Sequence, residues 1–343
     1  MTTDSQQERL GRCFKEVTGQ EPTSITELHP HASERRIFRI VSGSTRMIGV
    51  LNPSRRENDV FVALAKHFYS LGLPVPLIYH YEPDSNLYLE EDLGDETLLD
   101  LLANARASNP NDPFPKSVED LYRRSLEYLT RFQIESAADL DFSLCYPERD
   151  LLPGTFTGDC ANFSAQLVTR VLPQFEISQL NSDFAKLISF LGQSDANFFV
   201  YRDFQSRNIM HYKSGPYFID FQSGKRGPLQ YDVVSLLYQS SAKIPEAARE
   251  RLVKHYILSA STYLQIDQEK FYHFFSGFIV ARMLQVLGVY GRQGLGAGKP
   301  YFINSIPGAV TTLRDELHKK SLPLNLVALR NCVDQLAELF SRT

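Results

Sequence analysis

Long runs of basic residues are missing from this sequence. No block of five or more Lys or Arg interrupts its 343 residues, and 36 basic against 40 acidic side chains leave a net charge of -4 with histidine neutral. A sequence-independent grip on nucleic acid needs a concentrated positive field, so the expected partner is a small molecule. Cysteine is scarce as well. Cys13, Cys145, Cys160 and Cys332 lie far apart and form no C-x-x-C pair, which argues against a zinc site and a disulfide framework and fits a reducing cytosol. The segment Met1 to Leu10 lacks the basic start and apolar core of a secretory leader. The most apolar stretch, Phe274 to Gly291, carries Arg282 and Gln285 near its middle. A bilayer centre would oppose the arginine by ~2.5 kcal/mol or more, so a buried helix is predicted there and no membrane partner. Internal repeats and low-complexity tracts are absent too.

What is present is ample core material: 43% of residues are apolar and 12% aromatic. That excludes long disorder and a disulfide-stapled miniprotein, and the length suits two lobes sharing a cleft. From about Ile25 to Asp92, strand-like pieces (Arg36 to Val41, Thr45 to Leu51, Leu87 to Glu90) surround a helix predicted from Glu57 to Ser70. Beyond Leu93-Gly94 the periodicity is mostly helical: Thr97 to Ala107, Val118 to Ile134, Asn162 to Leu172, Asp183 to Leu191, Tyr231 to Gln239, Pro245 to Ala260, Gln268 to Val289 and Leu326 to Phe340. An α+β fold follows, with a small β-rich lobe over residues 1–93 and a large helical lobe over 94–343.

The informative segment is FFVYRDFQSRNIMHYKSGPYFIDFQSGKRGP, Phe198 to Pro228. Ile209 to Tyr212 and Pro216 to Phe221 read as two strands joined by Lys213-Ser214-Gly215, with the glycine supplying positive φ. Pairing them antiparallel brings Asn208 and Asp220 to one end of the hairpin. An amide oxygen and a carboxylate are hard donors that suit Mg²⁺ held with substrate phosphates. Asp203, just upstream, is placed to accept a proton from a hydroxyl attacking a phosphoryl group. Phosphoryl transfer from ATP requires a base that orients the nucleophile and divalent metal on the donor phosphates. No Ser-His-Asp or Cys-His spacing supports hydrolase chemistry.

YRDFQSRN followed by FIDFQ resembles the catalytic loop and metal motif of the kinase-like aminoglycoside and choline phosphotransferase superfamily. The resemblance implies a two-lobed protein-kinase-like fold, with Asp203 as catalytic base, Asn208 and Asp220 as metal ligands and Asp232 as a structural residue that supports the catalytic loop by hydrogen bonds. DFQSRNIM, FIDFQSGKRGPLQYDVVSLL and ARMLQVLGVYGRQG are similar to the bacterial subgroup containing the anomeric kinases of N-acetylmuramate and N-acetylglucosamine. The turn around Ser33, Arg35 and Arg36 resembles that subgroup's cover over the nucleotide phosphates. Leu87 to Gly94 resembles the interlobe hinge, where main-chain groups of Glu91 and Leu93 would meet adenine and the acidic side chains would face solvent.

Departures matter equally. The strand Arg46 to Leu51 has no counterpart of the protein-kinase lysine that pairs with the phosphates and a helix glutamate, and no G-x-G-x-x-G loop is present. Arg35, Arg36 and Arg55 are the candidate replacements, and Glu57 the candidate helix glutamate. Tyr201 replaces the usual histidine before Arg-Asp and is expected to act through packing and its hydroxyl; Gln205 stands where relatives often have His. For the acceptor, Asp159, Arg282 and Arg292 are the leading candidates, with Asn162, Gln285 and Lys299 behind them. The glycines of GRQGLGAGKP, 291–300, suggest a mobile loop closing over the sugar, and His29 and His31 a surface turn. The expected activity is an ATP- and Mg²⁺-dependent cytoplasmic kinase for a sugar hydroxyl, with the amino sugars of cell-wall recycling foremost. The rival readings are a kinase for another acceptor (an aminoglycoside, choline, a different sugar) and a nucleotide-binding pseudokinase. Oligomeric state and ATP against GTP are left open.

Overall fold

The computed structural model describes residues 3–28, 35–319 and 321–341. His29, His31 and Ser33 lie outside the described residues. The chain starts with α1 (Thr3–Thr18), then β1 (Ser24–Leu28), β2 (Arg36–Ser42), β3 (Thr45–Leu51), α2 (Arg55–Ser70), β4 (Ile78–Glu82) and β5 (Leu87–Glu91). The strands form one antiparallel sheet in the order β1-β2-β3-β5-β4.

Strand alternation divides this sheet into two working faces. Phe38, Ile40, Met47, Leu87 and Leu89 point to one side and pack on Leu10, Cys13 and Phe14 of α1. Gly49 shares that face, and a Cβ there would stand 2.6 Å from Leu10 Cδ2, so the helix settles onto the sheet only over a glycine. Val50 and Tyr88 point to the other side, against Val60, Phe61 and Leu64 of α2. Ser54 caps α2 by accepting from the Glu57 N–H, which fixes the direction in which Glu57 leaves the first turn.

The helical lobe follows: α3 (Leu98–Ser108), α4 (Lys116–Thr130), α5 (Phe156–Phe163), α6 (Thr169–Val171), α7 (Leu180–Leu191), α8 (Gln230–Leu237), α9 (Glu246–Ala260), α10 (Gln268–Tyr290), α11 (Pro300–His318) and α12 (Val327–Ser341). Two small hairpin-like pairs lie between α7 and α8: β6 (Phe198–Val200) with β9 (Lys225–Gly227), and β7 (Ile209–Tyr212) with β8 (Gly215–Phe218). The whole is the two-lobed α+β arrangement expected, with the apolar helix α10 at its centre. Every residue from Phe274 to Gly288 is buried, Arg282 included, and 89% of the apolar stretch lies inside the protein.

Four expectations are corrected. The turn between β7 and β8 uses Lys213 and Ser214, both at positive φ, while Gly215 is the first residue of β8. Its hydrogen makes room for Arg124, whose Nη2 would be 2.9 Å from a Cβ there. Phe221 falls outside β8, turned away by the positive φ of Asp220. Glycines 291–296 continue α10 through a wide helical turn and do not form an open loop: a Cβ on Gly291 would lie 2.3 Å from the Gln166 carbonyl oxygen. Finally, α1 and α11 had no counterpart among the elements expected from sequence.

Candidate phosphotransfer site

The site is built around the chain turn that follows β6. Asp232, wholly buried at the start of α8, accepts from the backbone N–H of Tyr201 at 2.7 Å and of Arg202 at 2.8 Å, and from Gln133 Nε2 at 3.1 Å. Burial raises its carboxyl to about 7 even against the downward pull of those three donors. The bonds hold Arg202 at a φ of 72°, a conformation that costs a non-glycine residue roughly 1–2 kcal/mol. Tyr201 donates its hydroxyl to the Ile219 carbonyl at 2.6 Å, tying this turn to the end of the hairpin. Packing and a hydroxyl bond thus do the work anticipated for Tyr201.

With both ends tied, Asn208 links the main chain at Asp203 to the Asp220 carboxylate. Asn208 Nδ2 donates to the Asp203 carbonyl at 2.9 Å and to Asp220 Oδ2 at 3.2 Å. Asp220, at a φ of 69°, also accepts from Gln222 Nε2 at 2.8 Å. Phe221, next in the chain, stacks on Phe61 of α2 with centroids 4.8 Å apart. That contact, worth ~0.5–1.5 kcal/mol beyond burial, fixes the carboxylate against the sheet lobe. Asp203 is partly exposed; Gln205 Nε2 lies 3.4 Å and Arg282 Nη2 3.8 Å from its Oδ1. Gln205 therefore holds the carboxylate from the position where a histidine was looked for.

From the sheet, Arg35 reaches Asp220 Oδ1 at 3.5 Å and Glu57 Oε2 at 3.4 Å. Arg36 is oriented oppositely, as alternation along β2 requires: it pairs with Glu27 at 2.7 Å, with Gln6, and lies over the Phe38 ring. Arg55 turns outward to Asp84 at 3.1 Å. Of the three candidate arginines, only Arg35 meets the carboxylate group.

At the hinge, the Glu91 N–H is already engaged by the Leu77 carbonyl at 2.9 Å, and its carboxylate pairs with Lys213 at 3.1 Å across to the hairpin. Leu93 is buried. The solvent-facing acidic side chains expected here are corrected in two places. Asp92 is buried and clamped by Arg39 at 2.7 and 3.0 Å. Glu90, on the same sheet face as Tyr88, has a buried Oε2 with no hydrogen-bond partner, and burial pushes its carboxyl up to about 8. Sequence reasoning missed Arg39, although its even spacing from Arg35, the residue just before β2, put both on the same side of the chain.

On the helical side, Asp159 and Arg282 come to the cluster. Arg282 donates to Gln285 Oε1 at 2.7 Å, the Arg202 carbonyl at 3.2 Å and Tyr231 Oη at 3.4 Å, bracing the loop that carries Asp203. Asp159 Oδ1 lies 3.5 Å from Arg202 Nη2; its Oδ2 is buried with no partner, and burial pushes the carboxyl up to about 6. Arg292 does not join them: it is exposed in the turn beyond α10, about 15 Å along the axis from Arg282. Asn162 is also exposed, and Lys299 caps α11.

The phosphotransferase enzyme family model matches residues 24–267. An N-acetylmuramate/N-acetylglucosamine kinase of Pseudomonas putida is 27% identical over 307 residues, covering 88% of this chain and 86% of the relative. One of the same description from Pseudomonas aeruginosa is 25% identical over 294 residues, covering 83% and 81%. Among solved structures, a choline kinase from Cryptosporidium parvum superposes with a TM-score of 0.64 at 13% identity, covering 94% of this chain and 99% of that one. An amicoumacin kinase in complex with AMP-PNP and Ca²⁺ gives 0.63 at 10% identity, covering 96% and 100%. These structural likenesses establish the kinase-like fold.

Proposed function

The chain belongs to the phosphotransferase enzyme family, and from that premise we propose that it transfers the γ-phosphoryl group of ATP to a sugar hydroxyl, the anomeric hydroxyl of N-acetylmuramate or N-acetylglucosamine. The observation that carries the reading is the meeting of Asp203, Asn208 and Asp220 at one end of the β7–β8 hairpin, faced by Arg35. The names of the relatives support the acceptor class. We assign nucleotide binding to residues 1–93 and the acceptor to 94–343.

Asp203 orients the acceptor hydroxyl and takes its proton as the oxygen–phosphorus bond forms and the bond to ADP breaks. An anomeric hydroxyl is more acidic than an ordinary alcohol, so positioning supplies much of the rate. The donor set of Asn208 and Asp220, hard oxygens on one amide and one carboxylate, fits Mg²⁺, which when bound offsets the charge of the triphosphate. Arg35 neutralises phosphate from the sheet side, in the role a strand lysine fills in protein kinases. The Glu91 carbonyl and Leu93 N–H are the hinge groups for adenine. Asp159 Oδ2, buried and without a partner, is the acceptor we assign to a sugar hydroxyl.

The test is ADP release with N-acetylmuramate, N-acetylglucosamine and a panel of amino alcohols, followed by NMR location of the new phosphate. Asp203→Asn should lower kcat by roughly 10²–10⁴. Equal turnover in the two proteins would remove Asp203 as the base. MgATP-induced thermal stabilisation without product on any acceptor would favour a nucleotide sensor.

A further inference from the structure

On the face of the sheet turned away from the cleft, Cys13 of α1, Glu16 of α1 and His80 of β4 bring one sulfur, one carboxylate oxygen and one ring nitrogen within 4.8 Å of one another. Cys13 is buried, His80 half-buried and Glu16 exposed, so the group lies at the surface end of the α1–sheet interface. Tyr81 fixes the orientation of the strand. Its hydroxyl reaches Asp59 of α2 at 2.5 Å, on the cleft side, so by alternation its neighbours His80 and Glu82 point to the α1 side. Glu82 is close enough for its carboxylate to act on the Cys13 thiol, and its Oε2 is buried with no hydrogen-bond partner. A carboxylate oxygen left alone inside a protein is unfavourable, and next to a thiol and an imidazole it calls for a cation.

We propose that Cys13, Glu16, His80 and Glu82 form a zinc-type metal site, separate from the phosphotransfer cluster, that clamps α1 to the sheet edge. A donor set of one thiolate, one imidazole and carboxylates is that of a borderline-soft ion preferring tetrahedral coordination, and differs from the all-oxygen pair at Asn208 and Asp220. Bond lengths of about 2.0–2.3 Å place tetrahedral ligand atoms roughly 3.3–3.8 Å apart. The observed spread of Cys13, Glu16 and His80 therefore closes on an ion with side-chain adjustments of about 1 Å, and Glu82, which lies outside that 4.8 Å group, turns its unpartnered oxygen in to complete the set. Binding forms a metal–sulfur bond and releases the thiol proton to solvent. The thiolate and two carboxylates carry one charge more than a divalent ion neutralises, and Arg9 and Arg12 are near enough to the thiol to offset it. β4 is an edge strand of the sheet, so the clamp would secure a strand that has a ladder partner on one side only. Sequence spacing conceals such a site, because its ligands come from a helix and a strand and never make a C-x-x-C pair.

The experiment uses the metal-stripped full-length protein, titrated with Co²⁺ alone and then with Zn²⁺. One equivalent of Co²⁺ should give a sulfur-to-cobalt charge-transfer band and intense tetrahedral d–d absorption, both displaced by Zn²⁺. Cys13→Ser should abolish the charge-transfer band. Because Cys13 is buried, the half-exposed His80→Ala serves as a second variant and should weaken Zn²⁺ binding at least tenfold. The same variant should lose the Zn²⁺-dependent rise in Tm. Asp220→Asn should leave the cobalt spectrum intact, which separates this site from the one assigned to Mg²⁺. Absence of saturable binding, a band that survives Cys13→Ser, or unchanged Zn²⁺ affinity in His80→Ala would overturn the proposal.

Discussion

Arg35 Nη1 lies 3.5 Å from Asp220 Oδ1 while its Nη2 lies 3.4 Å from Glu57 Oε2, so one guanidinium joins the sheet lobe, helix α2 and the end of the β7–β8 hairpin. The strand lysine is absent, and the guanidinium that reaches Asp220 comes from the residue just before β2, which is why we assign it to phosphate. Charge-assisted hydrogen bonds to phosphate contribute about 1.5–3 kcal/mol. Arg35→Ala should therefore raise the KM for ATP roughly 10–100-fold, and Arg35→Lys should recover part of that loss. Steady-state kinetics with saturating acceptor will check it; an unchanged nucleotide KM in both variants would take Arg35 out of phosphate binding.

Asp159 gives the acceptor side its own signature. Burial pushes its carboxyl up to about 6, and the ionised form is the better acceptor for a sugar hydroxyl. The KM for the sugar should fall as pH rises through about 6. In Asp159→Asn it should be raised roughly tenfold and lose that pH dependence, with the KM for ATP unchanged. Parallel pH profiles in the two proteins would show that Asp159 does not touch the acceptor.

Glu90 and Glu119 should tilt stability in opposite directions with pH. Glu90, pushed up to about 8 from 4.5 by burial, keeps in the folded state a proton that the unfolded chain has lost between those values. Folding then weakens as pH rises through that window. Glu90→Gln removes the ionisation while keeping the shape. Its Tm advantage over the wild type should widen by roughly 2 °C or more between pH 5 and pH 8.5, and a constant difference would contradict the assignment.

Glu119 is held down to about 2, first by its hydrogen bond to Arg251 and then by Arg123, and links α4 to α9. A depressed carboxyl stabilises the fold above its unfolded value of 4.5, and that contribution is lost as pH falls toward 2. With Arg251 half-exposed, solvent screening limits the contribution to about 1 kcal/mol. Glu119→Gln should lower Tm at pH 7, with the difference vanishing near pH 2.

The legible parts of this chain were those whose chemistry is local in sequence. Asp203, Asn208 and Asp220 are separated by a single hairpin, so turn residues alone bring them together. The apolar helix α10 was readable from its own composition, whereas Asp232 was reached only through the family resemblance, since its partners Tyr201 and Arg202 lie about thirty residues away. Arg39 and Asp92 pair across the sheet from distant positions, and Arg36 was separable from Arg35 only once the register of β2 was known. Helix α11 was hidden because it opens on Pro300 directly after a glycine-rich run and carries Pro307 inside, both of which read as breakers. The glycines before it were misread for a related reason: sequence does not distinguish a glycine chosen for freedom from one chosen for closeness.

Gly291 and Gly298 separate those two uses. At Gly291 a Cβ would stand 2.3 Å from the Gln166 carbonyl oxygen and 2.6 Å from its carbonyl carbon, main-chain atoms that no rotamer change can move. Gly291→Ala must push the end of α10 away from the turn between α5 and α6, which should cost about 2 kcal/mol or more and lower Tm. Gly298 has a φ of +70°, and a methyl at its Cα would meet no atom within 4 Å, so Gly298→Ala incurs only backbone strain of about 1 kcal/mol. The first substitution should therefore be the more destabilising, with kcat in Gly298→Ala close to that of the wild type. The opposite order, with kcat falling in Gly298→Ala and Tm unchanged in Gly291→Ala, would restore the picture of a mobile loop over the sugar.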